Sequence, residues 1–157
     1  MGPVERDDSD RDDSDRERSY EATFARQHRQ LDAMFDGLLL ALRSDAGELH
    51  GVRERFAALR DALEAHVDQE DRLYYPAVRA LRPVYRPQIE QLFDAHETFR
   101  ARLGEIDASL ANGAAADARA ALGEFARAFA LHEAAEEQML RSIDAELAAA
   151  AAETPLP

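Results

Sequence analysis

The chain contains no cysteine. That excludes disulfides, thiolate zinc sites and iron–sulfur clusters. It contains no lysine either, and every basic residue is arginine; this reads as codon usage and carries no functional meaning. Glycine is scarce, with seven residues in 157. A chain rich in Ala, Leu, Arg and Glu favours helix throughout. No apolar run approaches the ~18 residues that a membrane span requires. Positive charge is in deficit, with 19 arginines against 32 acids and a net charge of −13. Such a surface repels nucleic acid and anionic membrane, so neither is an expected partner. The opening stretch is acidic and polar, without the apolar core of a signal peptide. The expected location is therefore the cytoplasm.

The length suits one domain with a substantial core. Residues 1–18 read as a disordered acidic arm. Within it Arg6-Asp-Asp-Ser-Asp10 recurs as Arg11-Asp-Asp-Ser-Asp15, and too few apolar side chains are present to offset the entropy of ordering. Residues 19–150 read as four helices. The first starts near Ser19, a possible N-cap, and stops near Arg43 ahead of Ser44-Asp-Ala-Gly47. The second runs from about Glu48 to Leu81, with Pro76 expected to kink or interrupt its last turns. Pro83 and Pro87 bracket the next connection. The third ends at Asn112-Gly113, a strong stop signal, and the fourth reaches about Ala150. Residues 151–157 read as a flexible tail. Three short connections make this an all-α, up-down-up-down four-helix bundle.

What that bundle would enclose is unusual. Taken in steps of three and four, the apolar seams are Phe24, His28, Leu31, Phe35, Leu38, Leu42 on the first helix and Val52, Phe56, Leu59, Leu63, His66, Glu70, Leu73, Ala77 on the second. The third carries Ile89, Leu92, His96, Phe99, Leu103, Ile106, Leu110. The fourth carries Ala118, Leu122, Phe125, Phe129, His132, Glu136, Met139, Ile143. Seam positions face the core. Each seam holds one histidine, and two add a glutamate four residues on, on the same helical face. His28 and His66 are 38 residues apart, His96 and His132 36 apart. The two halves therefore read as copies of one hairpin, related by a pseudo-twofold axis, with the histidines at similar depth.

A lone core histidine is most simply a satisfied polar residue. Four of the chain's five histidines on seams is roughly a 2–3% coincidence when seams are two positions in seven. Unsatisfied, six buried polar groups would cost on the order of 10 kcal/mol, comparable to the stability of a whole domain. The pattern points to metal. Nitrogen and carboxylate donors without sulfur suit iron, manganese or zinc. Six ligands are too many for one tetrahedral zinc, and suit two cations bridged by two carboxylates. Ferritin-like bundles use Glu-x-x-His and four carboxylates, which this chain does not match. Asp71 is expected beside the site without being a ligand. Tyr74 and Tyr75 are expected to pack, His50 to lie at the surface.

His28, the segment His66-Val-Asp-Gln-Glu-Asp-Arg-Leu-Tyr-Tyr-Pro76, His96, and His132-Glu-Ala-Ala-Glu-Glu-Gln-Met-Leu140 resemble the hemerythrin-like, or HHE cation-binding, family over about residues 20–145. The resemblance implies a di-iron centre, two Fe ions with a bridging oxo or hydroxo group, held by His28, His66, Glu70, His96, His132 and Glu136. Glu137 stands as the alternative to Glu136, because oxygen-carrying hemerythrins place that carboxylate five residues after the histidine. The carriers also have a further histidine four residues after the third-helix one, where this chain has Arg100. The implied function is binding of dioxygen or a related small ligand. The alternatives are catalase- or peroxidase-like decomposition of hydrogen peroxide, and iron or redox sensing in which metal orders the bundle. A purely structural module is the weakest reading.

Overall fold

The computed structural model describes residues 9–43 and 49–153, and the side chains of 24–43 and 51–153. Five helices account for nearly all of it: α1 (Ser9–Arg43), α2 (Leu49–Gln69), α3 (Tyr75–Leu81), α4 (Arg86–Ala111) and α5 (Ala115–Glu153). A π-helical turn, Glu70–Tyr74, joins α2 to α3, and a 3-10 turn, Pro83–Tyr85, leads into α4. There is no strand among the described residues. The α2–π–α3 rod counts as one bundle helix, so the architecture is the four-helix bundle expected. α1 packs on α2 and α5, and α4 packs on α2 and α5, closing a square of neighbours.

The α4–α5 connection is tight because of Gly113, whose φ of 73° is open to glycine at no steric cost. The amide of Gly113 donates to Leu110 O, and that of Ala114 to Ser109 O. Together they satisfy carbonyls that the end of α4 would otherwise leave unpaired.

α1 begins ten residues ahead of Ser19, at Ser9. The acidic arm expected over 1–18 thus lies partly outside the described residues and partly on helical backbone. Residues 9–18 contain neither glycine nor proline and interleave arginine with aspartate, which is compatible with extending a helix. α5 runs on to Glu153, so the expected tail of 151–157 begins on helical backbone; its residues 154–157 and the 44–48 connection lie outside the described residues.

The second helix departs from its expected seam. Pro76 has no amide to donate, and in a continuous α-helix its ring would press on the Arg72 carbonyl. The helix widens ahead of it: the Tyr75 amide donates to Glu70 O, a five-residue step. One extra residue in the turn rotates everything after it by about 100°. Leu73 is consequently 66% exposed, and Ala77 is also exposed. Tyr75 and Val78 take their places in the interior. The seams of α4 and α5 are buried as expected at every position.

Two apolar clusters result. One is built from Leu31, Phe35, Leu38, Val52, Phe56, Leu59 and Leu63 with Phe99, Leu103, Phe125 and Phe129 among their partners. The other gathers Tyr75, Val78, Tyr85, Ile89, Leu92, Met139 and Ile143. His66, Glu70, His96, His132 and Glu136 fall between the two in sequence on their rods, and His28 precedes the first cluster on α1. They are all buried and form a polar layer between two dry ones. No helix among the described residues is long and apolar enough to cross a membrane.

Candidate metal centre

The six seam residues converge on one cage. His28, His66, Glu70 and Glu136 bring donor atoms within 4.8 Å of one another, and Glu70, His96, His132 and Glu136 form a second such set. The two glutamates belong to both. His28 Nε2 and His66 Nε2 are 3.2 Å apart, and His96 Nε2 and His132 Nε2 are 3.0 Å apart. Each glutamate divides its oxygens between the pairs. Glu70 Oε1 lies 2.5 Å from His66 Nε2 while its Oε2 lies 3.1 Å from His96 Nε2. Glu136 Oε1 lies 2.5 Å from His132 Nε2 and its Oε2 3.8 Å from His28 Nε2. The i, i+4 spacing sets His66 against Glu70 and His132 against Glu136, so the internal repeat in the sequence becomes a pseudo-twofold in space.

The outer imidazole nitrogens have partners of their own. His66 Nδ1 is 2.7 Å from Gln27 Oε1, whose amide nitrogen donates to Gln69 at 3.2 Å. The amide orientation makes Gln27 Oε1 the acceptor and His66 Nδ1–H the donor. His96 Nδ1 is 2.7 Å from Asp71 Oδ1, and Arg100 donates to the other Asp71 oxygen at 3.0 Å. His28 Nδ1 is 3.3 Å from Glu137 Oε1. A neutral imidazole that donates from Nδ1 turns a lone pair inward at Nε2. Three of the four rings are set this way.

These facts test whether a cation fits. Two nitrogens each ~2.1 Å from one cation and about 90° apart lie ~3.0 Å from each other, the separation seen in both pairs. In the His28–His66 pair two inward lone pairs face each other at that distance and repel unless something positive lies between. Glu70 Oε1 is buried and accepts no hydrogen bond, despite its closeness to His66. The donor set, four imidazoles and two carboxylates without sulfur, suits iron, manganese or zinc. The residues fit a bound metal.

Protons can fill part of that role. His132 is pushed up to about 9; burial works against its charge, but hydrogen bonds to Glu136 and Glu70 outweigh it. Burial raises the Glu70 pKa, but the adjoining His132, His66 and His96 overcome it and leave Glu70 well below the usual carboxylate range. Glu136 is raised, by burial first and by the nearby Glu70 charge, with His132 opposing.

Glu137 is outside the cage, half-exposed, on the far side of the His28 ring. Asp71 is beside the site, holding His96 from behind. Arg100 points outward to Asp71 and is not part of the cage. Tyr74 is half-buried and packs on Phe24, with ring centroids 4.5 Å apart. The side chain of His50 lies outside the described residues. Tyr75 does more than pack. Its ring stacks on His96 at 5.4 Å, and its hydroxyl is 2.8 Å from Glu136 Oε1, 3.0 Å from Glu70 Oε2, 3.3 Å from His96 Nε2 and 3.5 Å from His132 Nε2. Burial, with both carboxylates close by, pushes its pKa far up.

Sequence reasoning passed over two contributors. Gln27 sits off the seam, next to His28, and reaches back to His66. Glu133 follows His132 and is buried at 6% exposure with one oxygen unpaired. Its pKa is pushed up to about 9 by burial, then by the Asp32 and Glu136 charges. Neither residue interrupts the apolar period, so the period could not flag them.

A model of the Hemerythrin HHE cation binding domain matches residues 21–151. Comparison with curated proteins and with solved structures gave no match. The matched span takes in most of all four rods and every residue of the cage. The chain belongs to the hemerythrin HHE cation-binding family.

Proposed function

We propose that the cage holds two iron ions and binds dioxygen or a related small ligand. One ion would be held by His28 and His66, the other by His96 and His132, with Glu70 and Glu136 shared between them. A single observation carries this reading: each glutamate turns one oxygen to each histidine pair. A lone cation would use one pair and leave the other two imidazoles facing each other without a partner. Iron is favoured because each set offers four nitrogen and oxygen donors, which would fill a tetrahedral zinc but would leave a six-coordinate iron with places for a small ligand. When bound, such a pair supplies reversible two-electron exchange with dioxygen or peroxide.

The protein's own groups position and protect that chemistry. Gln27, Asp71 and Glu137 fix the imidazole rings through their outer nitrogens, which aligns the inner ones. Phe24, Phe99 and Phe129 lie with centroids 5.1–6.4 Å from the histidine rings and keep water from the polar layer. Decomposition of hydrogen peroxide is the second reading. It is favoured by the outward course of Arg100, which leaves neither histidine pair with a third imidazole.

One experiment separates the two. Protein loaded with ferrous iron under anaerobic conditions is exposed to dioxygen, then degassed; a second sample receives hydrogen peroxide. A spectral change that reverses on degassing supports ligand binding. Sustained oxygen evolution from peroxide supports the second reading. No response to either contradicts both.

A further inference from the structure

The hydroxyl of Tyr75 occupies a place that neither packing nor the six-residue cage explains. Its four polar contacts are Glu70 Oε2, Glu136 Oε1, His96 Nε2 and His132 Nε2, at 2.8–3.5 Å. Those are one donor atom from every residue of the second ligand set. A hydroxyl has one proton to donate, though it can also accept from a protonated imidazole, so it cannot satisfy both carboxylates and both imidazoles at once. Atoms that share a cation at ~2.1 Å and about 90° to one another are ~3.0 Å apart. By that measure the phenolic oxygen belongs to the same coordination shell as the four atoms around it.

We propose that Tyr75 is a seventh metal ligand, binding the cation of the His96–His132 set as a phenolate; this rests on the two-iron reading above. Metal binding would displace the phenolic proton to solvent, as it does for other protonated ligands. Two nearby cations would reverse the local field that opposes ionisation when only the carboxylates are present. The π-turn is the local cause. A regular helix through residues 70–77 would have directed Leu73 and Ala77 inward, and the extra residue in the turn brings Tyr75 to the interior instead, at 0% exposure.

The consequence is asymmetry. The two histidine pairs and the shared glutamates obey the pseudo-twofold, but the hydroxyl contacts of Tyr75 fall on one set. The His96–His132 position gains an oxygen donor, and the His28–His66 position is left as the more open one for an incoming ligand.

The test is the visible spectrum and resonance Raman spectrum of the ferric, two-iron protein, with iron content measured on each sample. Wild type is expected to show a phenolate-to-iron charge-transfer band in the visible, with tyrosine ring modes enhanced on excitation into it. Tyr75→Phe is expected to lose both and to keep its near-ultraviolet absorption. Two irons per chain with no phenolate band in wild type, or with a band that survives in Tyr75→Phe, would overturn the proposal and leave the two-iron reading standing. Absence of iron would overturn both, and the metal analysis tells the cases apart. Should Tyr75→Phe not fold, Tyr74→Phe and the wild-type Raman spectrum decide. A band lost in Tyr74→Phe assigns it to the neighbour and overturns the proposal; a band that persists there supports it.

Discussion

Asp71 lies 2.7 Å from the outer nitrogen of His96 and, through its other oxygen, 3.0 Å from Arg100. The imidazole donates outward to a carboxylate, and the inner nitrogen is left free for a cation. A guanidinium keeps that carboxylate in place. Arg100 sits one turn beyond His96, and its influence on the cage passes through Asp71.

That relay has a measurable order. Partners behind a ligating histidine typically change metal affinity about 10–100-fold, so Asp71→Ala should weaken iron binding by a factor in that range. The Arg100–Asp71 pair is exposed on the arginine side, and such pairs contribute only about 0–1 kcal/mol. Arg100→Ala should therefore weaken binding less than Asp71→Ala does. Chelator competition measures both. An unchanged affinity in Asp71→Ala, or a larger loss in Arg100→Ala, would contradict the relay.

The two adjacent glutamates of α5 should behave differently. Glu136 is buried and faces both histidine pairs, whereas Glu137 is half-exposed and touches the outer nitrogen of His28. Glu136→Gln should abolish the bound-iron spectrum. Glu137→Gln should retain it with at most a modest loss of affinity. If the effects are reversed, the helix uses the five-residue spacing found in the carriers.

Glu133 gives a pH test on metal-free protein. Its folded pKa is raised from 4.5 to about 9. The unfolded chain ionises this acid near the ordinary value, while the folded chain keeps the proton. The stability it contributes is whole below about 4.5 and is lost as pH rises through about 9. Glutamine cannot ionise and can still donate toward Asp32. Glu133→Gln should melt above wild type at pH 8, by roughly 2–4 °C for each kcal/mol recovered, and the gap should narrow at pH 5. A gap that widens toward acid would show that the carboxyl is ionised in the fold.

Metal removal should lower the melting temperature. A ligand at 100 times its Kd stabilises by about 2.7 kcal/mol, and the cage groups lose their partner when it leaves. Calorimetry on matched samples checks this. Equal melting of iron-loaded and metal-free protein would mean that the polar layer is satisfied by its own His–Glu pairs.

The helical period made much of the centre legible. It put His28, His66, His96 and His132 on seams, and the i, i+4 spacing set Glu70 and Glu136 on the same faces. The period failed after Glu70, because a π-turn adds a residue without changing composition. Pro76 was the available signal, but it marks an interruption without saying which way the following residues turn. The sequence therefore favoured Leu73 over Tyr75 as an interior side chain. Gln27 and Glu133 were missed for a different reason. Both are polar residues next to a seam histidine, and a periodic reading assigns such positions to solvent. Only packing shows that Gln27 reaches around to His66 and that Glu133 is trapped between charges.

The central claim is that one cage of six side chains, with each carboxylate shared, holds two iron ions. The most direct test is iron per chain in protein produced with ample iron, measured against protein concentration by elemental analysis. The account predicts about two irons per chain, falling below one when His28 and His66 are both replaced by alanine. A single tightly held zinc, or no bound iron at all, would contradict it.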